Sequence, residues 1–249
     1  MTNRISFDFA GTQVLITGGT SGLGHATACL FRDSGAAVTI TGTKASPAEY
    51  PVDLSGMAYR ALALTDNAAI DALAASFSTL DVLVNNAGVN FPGGLDESTP
   101  DGFAASVDIN LTAQYRLTVA LESALRASAL RGGASVVTLA SMAAIRATTV
   151  VPGYGAAKAG VLSMTRALAA RWAAAGIRVN AVTPGVVATR MTAPMEHFPE
   201  IKQAELDHIP LGRFAEPAEV AGVIAFMCSE RASYCTGSSF VVDGGYSLQ

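Results

Sequence analysis

Three observations predict an α/β fold, a single domain built on a doubly wound parallel sheet with helices on both faces. Short β-branched runs alternate with longer helical patterns almost from end to end. Half of the 249 residues are apolar and only 14% are charged, enough to bury one large core. No repeat, linker or composition break divides the chain, so residues 1–249 read as one unit.

Val14 to Thr17 reads as the first strand, and Ala26, Cys29 and Leu30 give the next segment helical spacing. Ala37 to Thr41 is the second strand, followed by a less regular stretch from Gly42 to Gly56. A third strand precedes Ala63. Val82 to Asn85, Ser135 to Leu139, Arg178 to Val182 and Ser239 to Val242 complete the series. Leu117, Ala120, Leu121 and Leu125 mark a helix between the fourth and fifth strands. Thr99-Pro100-Asp101 offers a cap, a proline at the first helical position and an early acid; Glu216-Pro217 opens another helix similarly. Val186 to Gly212 holds three prolines and is long for a connection, which suggests a lid over a binding site or else a surface excursion.

The formal charge of −4 gives no reason to expect a nucleic-acid or anionic-membrane partner. Cys29, Cys228 and Cys235 suggest neither a disulfide framework nor a zinc site, and His25, His197 and His208 are scattered, so no metal is expected. The first residues lack a basic-then-apolar leader pattern, and no run approaches the ~18 apolar residues of a membrane span. A cytoplasmic location is the resulting expectation.

Val14-Leu15-Ile16-Thr17 runs into Gly18-Gly19-Thr20-Ser21-Gly22-Leu23-Gly24 and then a helix. Glycines here permit a tight turn and close approach of backbone to a pyrophosphate, which the helix N-terminus attracts. A turn of purely structural purpose would look the same. Tyr154 and Lys158, four apart in a helical pattern, project from one face. A tyrosine with a pKa of about 10 is a poor base near neutrality, and a nearby ammonium lowers that value. The pair then makes a proton donor and acceptor, unless it is only a solvated face.

Further motifs follow in order: Asn85-Asn86-Ala87-Gly88 at the end of the fourth strand, Asn110 in the next helix, and Ser141 after the fifth strand. Tyr154-x-x-x-Lys158, Pro184-Gly185 and Val242-Asp243-Gly244-Gly245 complete the set. Together with Thr17-Gly18-x-x-x-Gly22-x-Gly24 they resemble the short-chain dehydrogenase/reductase family over essentially the whole chain. The resemblance implies a Rossmann-type fold and hydride transfer between a nicotinamide cofactor and a ketone or secondary alcohol. It implies Asn110, Ser141, Tyr154 and Lys158 as the catalytic set. Tyr154 would protonate the carbonyl oxygen, Ser141 would hold it, and Lys158 would lower the tyrosine pKa and bind nicotinamide ribose. Asn110 would shape its helix and link Lys158 to solvent through a water.

For the cofactor, the resemblance implies Gly18, Thr20, Ser21, Gly22, Leu23 and Gly24 at the phosphates. Asn86, Ala87 and Gly88 would lie on the adenosine side. Tyr154 and Lys158 would reach the nicotinamide ribose, and Pro184, Gly185, Val187 and Thr189 would seat the carboxamide. Two positions depart from the family pattern. The second strand ends at Gly42 without the usual acid for a ribose 2′-hydroxyl, so Thr43 and Lys44 are free to bind a 2′-phosphate, and NADP is favoured over NAD. Ala63 stands where an adenine-contacting aspartate often occurs, leaving the Leu64 backbone.

Ile209-Pro210-Leu211-Gly212-Arg213 through Gly245 looks closest to 3-oxoacyl-carrier-protein reductases. That activity needs attraction to an acidic carrier, yet Ala134 and Ala175 stand where the carrier-binding arginines align, with only Arg131 and Arg171 nearby. Free ketones or coenzyme-A thioesters are therefore the expected small-molecule substrates. A fatty-acid reductase and a non-catalytic cofactor-binding regulator are the alternatives. The family usually forms homotetramers, and Ala156, Ala157, Ala159, Gly160, Ala167, Ala169 and Ala170 would allow close helix approach, between subunits or within one.

Overall fold

Strand and helix alternate as their periodicities require in this computed structural model, which describes residues 5–248, with Glu196 described by its backbone alone. The first half runs β1 (Gln13–Ile16), α1 (Gly22–Asp33), β2 (Ala37–Gly42), β3 (Ala58–Ala61), α2 (Asn67–Ala75) and β4 (Val82–Asn85). Helices α3 (Pro100–Val107), α4 (Ala113–Ala120) and α5 (Glu122–Arg126) then lead to β5 (Ser135–Leu139). The chain closes with α6 (Pro152–Trp172), β6 (Arg178–Pro184), α7 (Pro199–Asp207), α8 (Pro217–Cys228) and β7 (Ser239–Val242). Among the described residues the sheet is seven-stranded and parallel throughout, in the order β3-β2-β1-β4-β5-β6-β7.

Alternation along each strand divides the core in two, because successive side chains point to opposite faces. Leu15, Leu83, Val136 and Val179 face one layer, where Ile70, Leu117, Leu121, Val161, Leu168 and Trp172 cover them. Val14, Ile16, Val84, Val137 and Val182 face the other, under Phe31, Val220, Ile224 and Ala225 from α1 and α8. Helices on both faces explain why β4, β5 and β6 are buried along their whole length.

Both expected caps are present. The Thr99 hydroxyl accepts from Gly102 N–H at 3.2 Å, and Glu216 forms a capping box with Glu219. Arg178, read from sequence only as a strand residue, does more. Its buried guanidinium donates to the carbonyls of Met227 and Ala232 at 2.8 and 2.9 Å, closing the C-terminal end of α8 where free carbonyls attract a cation.

Two local expectations change. Asn110 lies not in a regular helix but in a π-helical turn, Asp108–Thr112, between α3 and α4. The 186–212 connection is not structureless: it carries a 3-10 turn, Ala193–His197, and α7, none of whose residues is buried. Among the described residues, no helix is long and apolar enough to cross a membrane.

Candidate active site

The glycine-rich turn packs so closely that side chains are excluded from it. Gly18 and Gly22 have positive φ values of 66° and 52°. A Cβ on Gly24 would stand 2.3 Å from both the Gly18 carbonyl oxygen and Asn86 Nδ2. One on Gly19 would stand 2.5 Å from Ile40 Cγ2. The result is a bare backbone cradle ahead of α1, suited to a pyrophosphate. Thr20, Ser21 and Leu23 complete the turn, and Thr189 descends from the loop after β6 to within 3.2 Å of the Cβ position of Gly22.

The loop after β4 forms the facing wall. Asn86 Nδ2 donates to the Thr17 and Gly18 carbonyls at 2.9 and 3.2 Å, so its side chain braces the turn. The Ala87 carbonyl accepts from Gln114 Nε2 at 2.7 Å. A Cβ on Gly88 would meet Asn110 Oδ1 at 2.9 Å and Lys158 Nζ at 3.5 Å, so this glycine lets the catalytic side approach the cofactor side. Pro184 and Gly185 end β6 against Asp243, and Val187 pairs with Ala215 in an isolated bridge. Leu64 turns its side chain partly into the core.

Ser141, Tyr154 and Lys158 come together. Ser141 hydrogen-bonds the Tyr154 hydroxyl and also accepts from Ala143 N–H at 3.2 Å, so the structural cap and the contact with the tyrosine coexist in one side chain. Lys158 is buried, donates to the Leu139 carbonyl at 2.6 Å and lies 5.4 Å from the Tyr154 ring centroid. Asn110 is spent on the protein: Oδ1 accepts from Val89 N–H at 3.0 Å, and Nδ2 donates to the Val89 and Ser106 carbonyls at 2.9 and 3.0 Å. Its side chain therefore ties the π turn to the loop after β4. Lys44 and Thr43 follow β2 on the exposed surface, with the Lys44 ammonium donating to the Glu49 carbonyl at 2.5 Å.

A family model described as enoyl-(acyl carrier protein) reductase matches residues 18–247. The chain is a short-chain dehydrogenase/reductase. It is 34% identical to cyclohexanol dehydrogenase of Acinetobacter sp. (strain SE19), with 99% of each chain covered. It is 32% identical to the 3-oxoacyl-[acyl-carrier-protein] reductase FabG of Vibrio cholerae, covering 94% of this chain and 97% of that one. The Pseudomonas aeruginosa RhlG/NADP active-site complex superposes with a TM-score of 0.86 at 29% identity, over 98% and 99% of the two chains. This dehydrogenase is thus an NAD(P)-dependent oxidoreductase of alcohol and carbonyl groups.

Sequence reasoning missed one group in this dehydrogenase's site. Glu97 is fully buried, and its two oxygens accept from Phe91 N–H at 2.9 Å and from Tyr154 N–H at 2.7 Å. It ties the loop after β4 to the first turn of the catalytic helix. Its only sequence signal was an acid near the start of α3, which a solvated helix end explains equally well.

The electrostatics also differ from the expectation that Lys158 lowers the Tyr154 pKa. Burial raises the Tyr154 pKa; the Ser141 hydroxyl opposes this, and the Glu97 charge adds to the rise. Lys158 is itself pushed down from 10.5 to about 8 by burial. Removing the Glu97 charge should ease formation of the phenolate. Glu97→Gln is expected to move the tyrosine limb of the pH–rate profile for alcohol oxidation to lower pH, with kcat reduced and the cofactor KM little changed. An unmoved limb would show that Glu97 serves packing alone.

A second prediction follows from Lys158. Its folded pKa lies below its unfolded value, so between pH 8 and 10.5 the unfolded chain holds more protons than the folded one. Stability from this group therefore rises across that window, by on the order of 3 kcal/mol at about 1.36 kcal/mol per unit. Urea titrations of the protein and of Lys158→Met should show the native lysine gaining on the variant between those pH values. A constant difference would count against a desolvated ammonium.

Proposed function

We propose that this dehydrogenase reduces free ketones, and oxidises the corresponding secondary alcohols, with NADP(H) in preference to NAD(H). The Ser141–Tyr154 hydrogen bond beside the buried Lys158 carries the reading, since it aims two hydroxyls at one point. The bare cradle of Gly18, Gly22 and Gly24 fits a dinucleotide, with Thr20, Ser21 and Leu23 around its phosphates and Pro184, Gly185, Val187 and Thr189 at its carboxamide. The nicotinamide supplies hydride when bound. Tyr154 donates its phenolic proton to the carbonyl oxygen, and Ser141 donates a hydrogen bond to that oxygen as it becomes an alkoxide. Lys158 uses one N–H on Leu139 and offers its other two to the ribose hydroxyls. Gly42 places no carboxylate beside a 2′-phosphate, which supports NADP.

Phe91, Leu95, Ile145, Val150, Met191 and Phe198 are exposed on the segments that follow β4, β5 and β6, apolar side chains suited to receiving a hydrocarbon-like ketone. Residues 186–212 serve as a lid over it, pinned at one end by the Val187–Ala215 bridge and at the other by Leu211 N–H on Gly244 O. A carrier-protein substrate has weaker support. Ala134 is buried at the amino end of β5, opposite Ser141, and Arg171 stands 4.0 Å from Glu122. With a net charge of −4, long-range attraction to an acidic carrier is also weak.

The test is kcat/KM for one β-keto acyl group presented on coenzyme A and on carrier protein, with Tyr154→Phe as control. The coenzyme-A form should be turned over at least as well, and Tyr154→Phe should lose orders of magnitude in kcat while staying folded. A tenfold preference for the carrier form, lost at high salt, would restore the fatty-acid reading; near-normal turnover by Tyr154→Phe would overturn the mechanism.

We further propose a homotetramer. Ala157 and Ala169 are buried within the subunit, but Ala156, Ala159, Ala167 and Ala170 stay exposed. Leu111, Tyr115, Gly160, Met164 and Ala167 line a groove between α4 and α6, and a Cβ on Gly160 would stand 2.5 Å from Leu111 Cδ2. Light scattering at micromolar concentration is expected to give four times the subunit mass; a single-subunit peak would refute the assembly.

A further inference from the structure

Where an acidic side chain would usually end β2, a tyrosine from later in the chain arrives instead. Gly42 closes β2 beside the glycine-rich turn, held there as Gly18 N–H donates to Thr41 Oγ1 at 3.2 Å and Gly19 N–H to the Thr41 carbonyl at 3.1 Å. A dinucleotide lying over that turn brings its adenosine ribose to this strand end. A Cβ on Gly42 would stand only 2.4 Å from Tyr50 Oη and 2.8 Å from Thr20 Cγ2. Glycine at this position is what admits the tyrosine hydroxyl.

The intervening loop is built to seat that hydroxyl. Pro47–Glu49 forms a 3-10 turn whose capping box joins Ser46 and Glu49, with Ser46 N–H donating to Glu49 Oε1 at 2.9 Å. The turn sends Tyr50 back toward Gly42, and the neighbouring carboxylate is occupied by its own cap. Lys44 N–H donates to Tyr50 Oη at 2.9 Å, and the hydroxyls of Thr20 and Thr43 hydrogen-bond the same phenol. The Lys44 ammonium lies 5.1 Å from the Tyr50 ring centroid.

The proton on Tyr50 finds only neutral hydroxyl oxygens as acceptors, those of Thr20, Thr43 and Tyr59. Tyr59 Oη already donates to the Lys44 carbonyl at 2.5 Å, and it stands 3.4 Å from Tyr50 Oη. A good O–H···O bond spans about 2.5–3.0 Å, so that second contact is weak. A phenol whose acceptors are neutral hydroxyls, beside an ammonium and at the ribose end of the cradle, can turn its proton to an anionic ligand oxygen, a stronger acceptor.

We propose that Tyr50 reads the 2′ position of the adenosine ribose and selects the 2′-phosphate, its hydroxyl donating to a phosphate oxygen while Lys44 supplies the charge. The inference rests on the NADP reading above and names the residue that enforces it. Hydrogen bonds to a charged acceptor are roughly twice as strong as neutral ones. Loss of the hydroxyl therefore weakens a 2′-phosphate far more than a 2′-hydroxyl, which the same phenol also serves.

Calorimetric binding of NADPH, NADH and 2′,5′-ADP tests this without turnover. Tyr50→Phe keeps the ring and removes the hydroxyl. It should weaken NADPH and 2′,5′-ADP by about tenfold and NADH by less than about threefold. Gly42→Ala adds only the Cβ that displaces the hydroxyl, and should reproduce the pattern without any new charge. NADPH affinity within twofold of the native protein in Tyr50→Phe, or equal weakening of both cofactors, would overturn the assignment while leaving the NADP reading intact. A native protein that binds NADH tenfold more tightly than NADPH would overturn both.

Discussion

Thr17 and Asn86 bind each other across the crevice between β1 and β4, where the strand order turns outward in both directions. The Thr17 hydroxyl accepts from the backbone N–H groups of Asn86 and Ala87, each at 3.0 Å. Asn86 returns its side-chain amide to the carbonyls of Thr17 and Gly18. Ligand crevices of doubly wound sheets open at this reversal. Here a small set of hydrogen bonds fixes its two lips, with the glycine-rich turn on the β1 side and Asn110, Ser141 and Lys158 on the β4 side. Loosening this joint would move the cradle relative to the proton donor, and an error of about 1 Å in such a site costs on the order of a hundredfold in rate.

Resting electrostatics at the proton donor favour one protonation state. Burial and the Glu97 carboxylate both oppose a phenolate at Tyr154, and the Ser141 hydrogen bond offsets them only in part. The phenol form is therefore favoured, which fits the proposed role of giving a proton to a carbonyl. Glu97 also grips Tyr154 through its backbone N–H, so the group that sets the tyrosine's charge state helps set its position. This biases the resting enzyme and leaves the equilibrium of the overall reaction untouched.

Most of the sheet was legible because the central strands are buried on both faces and are rich in β-branched and apolar residues. The grouping of Ser141, Tyr154 and Lys158 was legible because chain order and spacing reflect strand ends that converge in space. Other features depend on contacts that spacing does not encode. Glu97 meets Tyr154 from 57 residues away. The edge strand β3 has only one partner and mixed burial, so it carries little apolar signal. Asn110 disturbs its helix into a π turn, although composition shows only an asparagine among helix formers. Gly42 was visible as a missing acid, but the hydroxyl that fills its place belongs to a loop whose fold no periodicity announces.

The two halves of the crevice also differ in how firmly they are built. On the cofactor side, glycines touch neighbouring backbone or side chains, and a single added carbon at Gly19 or Gly24 would collide with them. On the side we propose for the substrate, α7 buries no residue, and Met191, Phe198, Ile201 and Leu211 lie open. Substitutions on such a surface usually change stability by no more than about 0.5 kcal/mol, whereas a clash in a packed turn costs several times that. Residues 190–208 can therefore change the shape of that side at little cost to the sheet beneath.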